Sequence, residues 1–332
     1  MKTSVVVPTL NGLEDLKNCL ASLRRQTTEC TIIVVTNGTT DGTQRFISLN
    51  YPEVIVLSYP RPLGFAGAVN AGIRYSIEHG FRRIALLNND AVAARDWLAR
   101  VSERMDLNPS CGVVTSKIKS VEENRLDSTG DYYTNWFLPY PRGRGKRDRG
   151  QYETPEKIVA ASGGASLFKS ETFQNIGLFD EAFFAYYEDV DVGLRAQHAG
   201  IEVWYEPQAV VTHKIGATSS RIKGFTTAQT MKNLPLVVIK NVPFRLILKY
   251  GWKFWLAYTL FALRACTRWQ GHYALKGWLK SIYYTPHALV ERRRIMKFSK
   301  LSTEEFDKIL VHDLPPNAKH LRRLRSLLRR KK

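Results

Sequence analysis

Five carboxylates, Asp180, Glu181, Glu188, Asp189 and Asp191, fall within twelve residues of the segment "FDEAFFAYYEDVDVGLRAQHAG". Between them lie Phe183, Phe184, Tyr186 and Tyr187. Acids in a helix's first turn gain from its dipole, and Asp191 stands four residues ahead of Arg195, the spacing of a helical ion pair. Capping and pairing therefore account for Asp191, and for Asp180 and Glu181 in the preceding turn. They do not account for the aromatic crowding. Partial desolvation raises a carboxylate's proton affinity, which makes it a better general base near neutral pH. Carboxylates in such a place, Glu188 and Asp189 at the helix start among them, could serve as a general base.

A second group lies far away in the chain. In "LLNNDA" an apolar run ends in Asn88, Asn89 and Asp90. A carboxylate held at a strand's exit can bind a hard divalent cation, Mg²⁺ or Mn²⁺, which in turn grips a diphosphate. The plainer reading of Asn-Asp at such a place is a turn or a helix cap. "TNGTTDGT" and "GFAGAVNAG" put glycines at strand-to-helix turns, where phosphate approaches a helix N-terminus. Neither is a dinucleotide fingerprint nor a P-loop, and tight turns alone account for most such glycines. His213 ends the apolar run "AVVTH"; a lone histidine is more often structural than a ligand, so its weight comes from its company.

The elements that must hold these residues alternate. Strands are expected at "TSVVVPT", "TIIVVTN", "EVIVLSY" and "RRIALL", with helices at "LEDLKNCLASLRRQ", "DGTQRFISL" and "GFAGAVNAGIRYSIEHG". This order predicts an α/β fold, a mostly parallel central sheet with helices on both faces. Ligands bind beyond the carboxyl ends of such strands, which here read "PTLNG", "TNGTTDG" and "NNDA". Residues 120–157 lose periodicity, and "PRGRGKRDRG" reads as a mobile basic loop. "EDVDVGLRAQHAG" reads as a helix closed by Gly200, and "EVWYEPQAVVTH" as two short strands.

The chain has 332 residues and a net charge of +19. Residues 232–332 carry 23 Lys and Arg against 5 Asp and Glu, so nearly all of the excess lies there. Two regions are expected: a near-neutral domain over 1–231 and a basic, aromatic-rich helical region over 232–332, suited to an anionic surface. Arg245, Lys249 and Lys253 recur every four residues beside Trp252, Phe254, Trp255 and Phe261, the pattern of an interfacial helix. A helical hairpin packed on the first domain is the alternative. Lys and Arg interrupt every apolar run before it reaches the ~20 residues that span a bilayer. Cys19, Cys30, Cys111 and Cys266 show no metal or disulfide spacing. No secretory signal pattern opens the sequence, and a cytoplasmic protein, peripheral on the inner face of the membrane, is expected.

Taken in order, "VVVPTLNG", "IIVVTNGTTDGT", "GFAGAVNAG", "LLNNDA", the long "GLFDEAFFAYYEDVDVGLR" run and "VVTHKIGATSS" resemble the inverting family 2 glycosyltransferases, in their rhamnosyltransferase-like branch, over about residues 3–220. The resemblance implies a GT-A nucleotide-diphospho-sugar transferase fold with a C-terminal basic helical extension. It implies a UDP- or dTDP-sugar donor, with rhamnose or galactofuranose as the sugar. The acceptor would be a hydroxyl of a glycan or lipid-linked acceptor in cell-surface polysaccharide synthesis, and no nucleic-acid partner is expected. Asp189 would be the catalytic base, with Glu188 beside it. Asp90 would hold Mg²⁺ or Mn²⁺, joined by His213, with Asn88 in place of the motif's first acid. Thr9, Asn11, Asn37 and Asp41 would surround the nucleoside; Gly67, Asn70 and Asn89 would lie near the diphosphate or sugar. Thr36 stands where the family commonly has a base-reading aspartate, which leaves an inactive member in view. Other readings are a nucleotidyltransferase on a related scaffold and a polyanion- or nucleic-acid-binding protein using the basic tail.

Overall fold

The computed structural model describes residues 1–121, 125–214, 222–316, 318 and 322. Most of the basic tail "LRRLRSLLRRKK" and the segment "IGATSSR" after Lys214 lie outside the described residues. The first half alternates: β1 (Thr3–Thr9), α1 (Leu13–Arg24), β2 (Thr31–Asn37), α2 (Thr43–Asn50), β3 (Ile55–Tyr59), α3 (Gly64–Glu78) and β4 (Arg83–Leu87). Then come β5 (Ala91–Ala93), α4 (Trp97–Asp106), β6 (Cys111–Ser120), β7 (Leu126–Ser128), β8 (Asp131–Tyr133), β9 (Pro139–Pro141) and β10 (Glu156–Lys157). β11 (Ala165–Lys169), α5 (Ser170–Ile176), α6 (Glu188–His198) and β12 (Glu202–His213) complete the sheet region. Four helices follow: α7 (Phe225–Asn241), α8 (Phe244–Thr267), α9 (Gly271–Phe298) and α10 (Thr303–Ile309).

The main sheet runs β10-β12-β6-β11-β4-β1-β2-β3. β3, β2, β1 and β4 are parallel, as are β6 and β12, while β11 runs antiparallel between β4 and β6. Side chains alternate across this sheet. Val5, Val7 and Val34 pack under α1 and α4 with Leu16, Leu20 and Trp97. Val6, Ile33 and Val35 pack on the opposite face with Ala68, Ile73 and Phe173 of α3 and α5. A sheet covered on both faces needs near-continuous apolar strands, and "SVVVP" and "IIVV" supply them.

Two expectations need correction. "EVWYEPQAVVTH" is one strand, β12, whose register with β6 shifts between Glu206 and Val210, around Pro207; proline cannot donate to a ladder and is found at such bulges. "PRGRGKRDRG" is packed down: Arg142 is buried beside the rings of Tyr132, Tyr152 and Tyr205, Arg144 pairs with Asp127, and Lys119 reaches Asp148. These partners are remote in sequence, so periodicity could not reveal them. The compositional change at residue 232 falls inside α7, whose Leu234 and Val237 pack with Phe183, Val190 and Leu194 in a third core.

Candidate active site

Backbone register brings the distant residues together. β5 pairs antiparallel with β12, setting His213 opposite Ala91, the residue after Asp90. On its other side β12 pairs with β6, with His213 opposite Ser120, and β6 in turn carries β7. Asp90 on one side and Asp127 of β7 on the other thus flank one imidazole. His213 Nε2 lies 3.0 Å from Asp90 Oδ1, and Nδ1 lies 2.8 Å from Asp127 Oδ2. Burial opposes the imidazolium, but the hydrogen bonds to Asp127 and Asp90 and their charges outweigh it and push His213 up to about 9. Asp127 is itself braced by Arg144, whose Nη2 lies 2.7 Å from Oδ1. Burial would raise the Asp127 carboxyl; His213 and Arg144 together hold it below the usual range.

Asp189 is joined to this cluster through a glycine turn. Its Oδ2 accepts from the Gly163 amide at 3.2 Å, and Oδ1 accepts from the Val190 amide at 2.9 Å. The next residue, Gly164, abuts Asn88: a Cβ there would sit 3.3 Å from Asn88 Nδ2. Asn88 Nδ2 is 3.5 Å from His213 Nε2. Burial raises the proton affinity of Asp189, and the two amide hydrogen bonds only partly offset it. Asp131 of β8 belongs to the same group; burial first and the Asp189 charge second push it up to about 8. Two buried carboxyls that sense each other do not ionise together readily. Glu188 is buried differently: among the described residues its Oε2 has no hydrogen-bond partner, and burial followed by the Asp189 charge drives its proton affinity well up.

The loop that delivers Asp189 is strained and held from one side. Phe184, Tyr186 and Tyr187 all have positive φ, at 62°, 69° and 70°, a region costly for aromatic residues. One face of α7 gathers the loop's carbonyls. Asn233 Nδ2 donates to the oxygens of Phe183, Ala185 and Tyr186 at 3.0, 2.9 and 2.7 Å. Lys232 Nζ donates to those of Ala182 and Phe183 at 2.8 and 3.0 Å, and Gln229 donates to those of Phe183 and Ala185. Gly64, at φ +74°, lets the chain pass close on the opposite side; a Cβ there would lie 2.4 Å from the Phe184 oxygen.

Other expected residues divide into two groups. Thr9 and Asn89 meet, with Asn89 Nδ2 donating to Thr9 Oγ1 at 3.1 Å. Asn11 accepts from the Thr40 amide at 2.7 Å, and Asp41 accepts from the Leu13 and Thr43 amides that open α1 and α2. These contacts tie the exits of β1, β2 and β4 into one shelf. Asn37 and Asn70 instead spend their amides as braces. Asn37 spans Leu63 and Gly64, while Asn70 holds both backbone groups of Phe179 and donates to Glu181. Asn70 lines a separate cleft of about 870 Å³ with Arg74, Glu181 and His287, and Gly67 faces Leu63 and Glu181. Thr36 is buried and bonded to Ser58 at 2.8 Å. Asp127, Asp131, Arg144, Lys232 and Asn233 were not singled out from sequence. Asp127 and Arg144 sit in the stretch without periodicity, and Lys232 and Asn233 in a helix whose surroundings only folding supplies.

Asp90 and His213 suit a hard cation once Nε2 of His213 gives up its proton to it, and the second nitrogen of His213 is oriented by a carboxylate, as is usual for a ligating imidazole. Among the described residues no set of three His, Cys, Asp or Glu side chains is placed to hold a metal ion. A cation here would be completed by oxygens of a bound diphosphate, which is how Mg²⁺ and Mn²⁺ commonly bind with phosphate substrates.

The sequence pattern of glycosyl transferase family 2 matches residues 4–177, more than half of the 332. The chain belongs to glycosyl transferase family 2. This family 2 glycosyltransferase is 26% identical over 221 residues to the dTDP-rhamnosyl transferase RfbF of Shigella flexneri, covering 67% of this chain and 71% of that protein. It is 26% identical over 244 residues to the N-acetylglucosaminyl-diphospho-decaprenol L-rhamnosyltransferase of Mycobacterium tuberculosis, covering 65% and 77%. Its fold is that of the mannosyltransferase PcManGT from Pyrobaculum calidifontis, solved with GDP-Man and Mn²⁺, with a TM-score of 0.53 over 89% of this chain and 85% of that one at 15% identity. It also matches GalNAc-T7, solved with UDP, GalNAc and Mn²⁺, with a TM-score of 0.58 and 16% identity, covering 72% of this chain and 48% of that one. The fold is therefore GT-A, as the family resemblance implied.

Proposed function

We propose that this family 2 glycosyltransferase moves a sugar, with inversion, from a nucleoside-diphosphate donor to a hydroxyl of a lipid-linked glycan. Asp189 takes the proton of the acceptor hydroxyl as that oxygen attacks the anomeric carbon, and the nucleoside diphosphate leaves from the opposite face. Burial keeps Asp189 basic enough for the task, and the Gly163 and Val190 amides hold its oxygens in place. Glu188, buried next to it in sequence, has its own proton affinity raised by burial and by the Asp189 charge. The Thr9–Asn89 and Asn11–Thr40 contacts shape the shelf that receives the nucleoside. Asp90 and His213 would hold Mg²⁺ or Mn²⁺. When bound, the cation neutralises charge growing on the departing diphosphate. The relatives named as rhamnosyltransferases favour a dTDP-linked rhamnose donor, and the decaprenol-linked substrate in one name favours a polyprenyl-diphosphate acceptor. The observation that carries this reading is one imidazole set between Asp90 and Asp127, with Asp189 one glycine turn away.

A peripheral membrane position completes the reading. Leu248, Trp252, Trp255, Leu256 and Leu263 recur along one outward stripe of α8, and Leu275, Trp278, Leu279 and Ile282 along one of α9. Large exposed apolar surface beside cationic residues suits an anionic bilayer face. Among the described residues no helix is long and apolar enough to cross a membrane.

The test is incubation of purified protein with a panel of sugar nucleotides, Mn²⁺ and a polyprenyl-diphosphate-linked acceptor, following diphosphate release and the anomeric configuration of the product. Release is expected with a pyrimidine-linked sugar, lost on chelation, and reduced roughly 10²–10⁴-fold in Asp189→Asn while the variant still binds donor. Retained turnover in that variant, or a retained configuration, would overturn the assignment.

A further inference from the structure

A groove of about 780 Å³ lies between α7, α8 and the loop carrying Leu138 and Pro139. Its walls change character along α8. Ala257, Leu260 and Phe261 line it first, then Arg264 and Arg268 one turn apart. From Ala257 to Arg268 is about 16 Å of helix. No Asp or Glu lines the groove, and neither arginine has an ion-pair partner among the described residues. The cationic end reaches Thr227 of α7, which is bonded to Gln270. The groove also meets the strained acidic loop: Tyr187 lines it and contacts Thr230, beside the Met231 carbonyl that Tyr258 holds, and Tyr186 contacts Thr226, next to Thr227. The outer wall includes Leu263, which is 57% exposed and belongs to the outward apolar stripe of α8.

We propose that this groove binds the polyprenyl-diphosphate portion of the acceptor, the diphosphate on Arg264 and Arg268 and the first isoprene units along Phe261, Leu260 and Ala257. The inference rests on the lipid-linked acceptor reading above and adds to it a site. An apolar channel ending in two unpaired guanidinium groups is complementary to an amphiphile with a compact anionic head, because guanidinium pairs phosphate oxygens in a fork and is weakly hydrated. The groove joins the loop carrying the catalytic base to the apolar face of α8, so a sugar attached to that head is delivered toward Asp189 while the tail leaves for the bilayer. The chain's own segment after Ala318 is a poor occupant: "KHLRRLRSLLRRKK" is strongly basic, the same sign as the two arginines.

The test uses the full chain with Phe261 replaced by the photo-cross-linking residue p-benzoylphenylalanine, irradiated with geranylgeranyl diphosphate in detergent-free buffer. A probe adduct at position 261 is expected, cut at least fivefold by Arg264→Glu with Arg268→Glu. Adducts to residues 319–332, adducts to a second copy, or no probe adduct at all would overturn the proposal. In turnover, the same double substitution should raise KM for a polyprenyl-diphosphate-linked acceptor tenfold or more, with kcat and the donor KM within twofold. An unchanged acceptor KM would remove the groove assignment alone. Failure of the unaltered enzyme to use any lipid-linked acceptor would instead remove the acceptor reading on which it rests.

Discussion

Asp131 and Asp189 share a buried environment, and the proton they hold has a measurable consequence. Asp131 is pushed up to about 8 by burial and by the Asp189 charge, against an ordinary value near 3.9. A carboxyl raised on folding contributes stability that is fully present below its unfolded value and is lost as pH rises through its folded value. The molecule therefore gives up stability through Asp131 between about pH 4 and pH 8. Asp131→Asn keeps the shape without the titration. The difference in melting temperature between variant and wild type should move in the variant's favour from pH 5 to pH 8; a constant difference would show that Asp131 does not carry the proton. From the sequence, Asp189 stood out because aromatic residues surround it. Asp131 did not, because it sits in a stretch without periodicity and comes to sense the Asp189 charge only on folding, where β8 bridges to Ala160.

At the scale of elements, α7 decides the shape of the acidic loop. Asn233 satisfies three carbonyls of a segment with three left-handed aromatic residues. Asn233→Ala takes the side-chain donor from the Tyr186 oxygen, while those of Phe183 and Ala185 keep Lys232 and Gln229, at a cost of about 1–3 kcal/mol. Because Asn233 lies in α7 and reaches Asp189 only through the loop carbonyls it holds, kcat should fall by roughly tenfold to a hundredfold while donor affinity stays within about twofold. Equal losses in both would mean a general loss of folding. The base of the same loop rests on a buried ion cluster. Lys240 Nζ reaches Asp180 and, at 3.0 Å, Asp191, which also pairs with Arg195 at 2.9 Å. Burial alone would raise Asp180, but Lys240 and then His287 outweigh it and hold it at about 2. A depressed carboxyl contributes stability above its unfolded value and loses it as pH falls through its folded value. Lys240→Met should therefore cost about 3–5 kcal/mol at neutral pH by leaving buried charge unpaired. The gap should close as pH drops from about 4 toward 2, which denaturant titrations at stepped pH would read.

For the whole molecule, charge and apolar surface coincide. The last 101 residues hold almost all of the net charge, and α8 and α9 within them expose Trp252, Trp255 and Trp278. On the proposed membrane face the aromatic stripe would supply insertion and the lysines and arginines attraction, each cation adding about 1 kcal/mol near an anionic surface. Co-sedimentation with vesicles containing phosphatidylglycerol should exceed that with phosphatidylcholine alone. It should weaken between 0.05 and 0.5 M salt as screening shortens, to about the 3–10 Å range, and should drop at least fivefold when Trp252 and Trp255 are both changed to Ser. Binding that is indifferent to lipid charge and to both tryptophans would remove the membrane face from the proposal.

Local pattern by itself determined the α/β core, and the family resemblance carried the step to GT-A. Apolar strands, helical spacing and glycine turns are properties of neighbouring residues, and their order over residues 4–177 marks the family. The acidic segment was legible for the same reason. The company of each chemical group was decided only in three dimensions. Register between β5, β6, β7 and β12 sets Asp90 and Asp127 on either side of His213, and α7, across a change in composition that suggested a boundary, grips the loop of Asp189. Such contacts join positions dozens of residues apart, and their energies depend on burial and on partners that no local window contains.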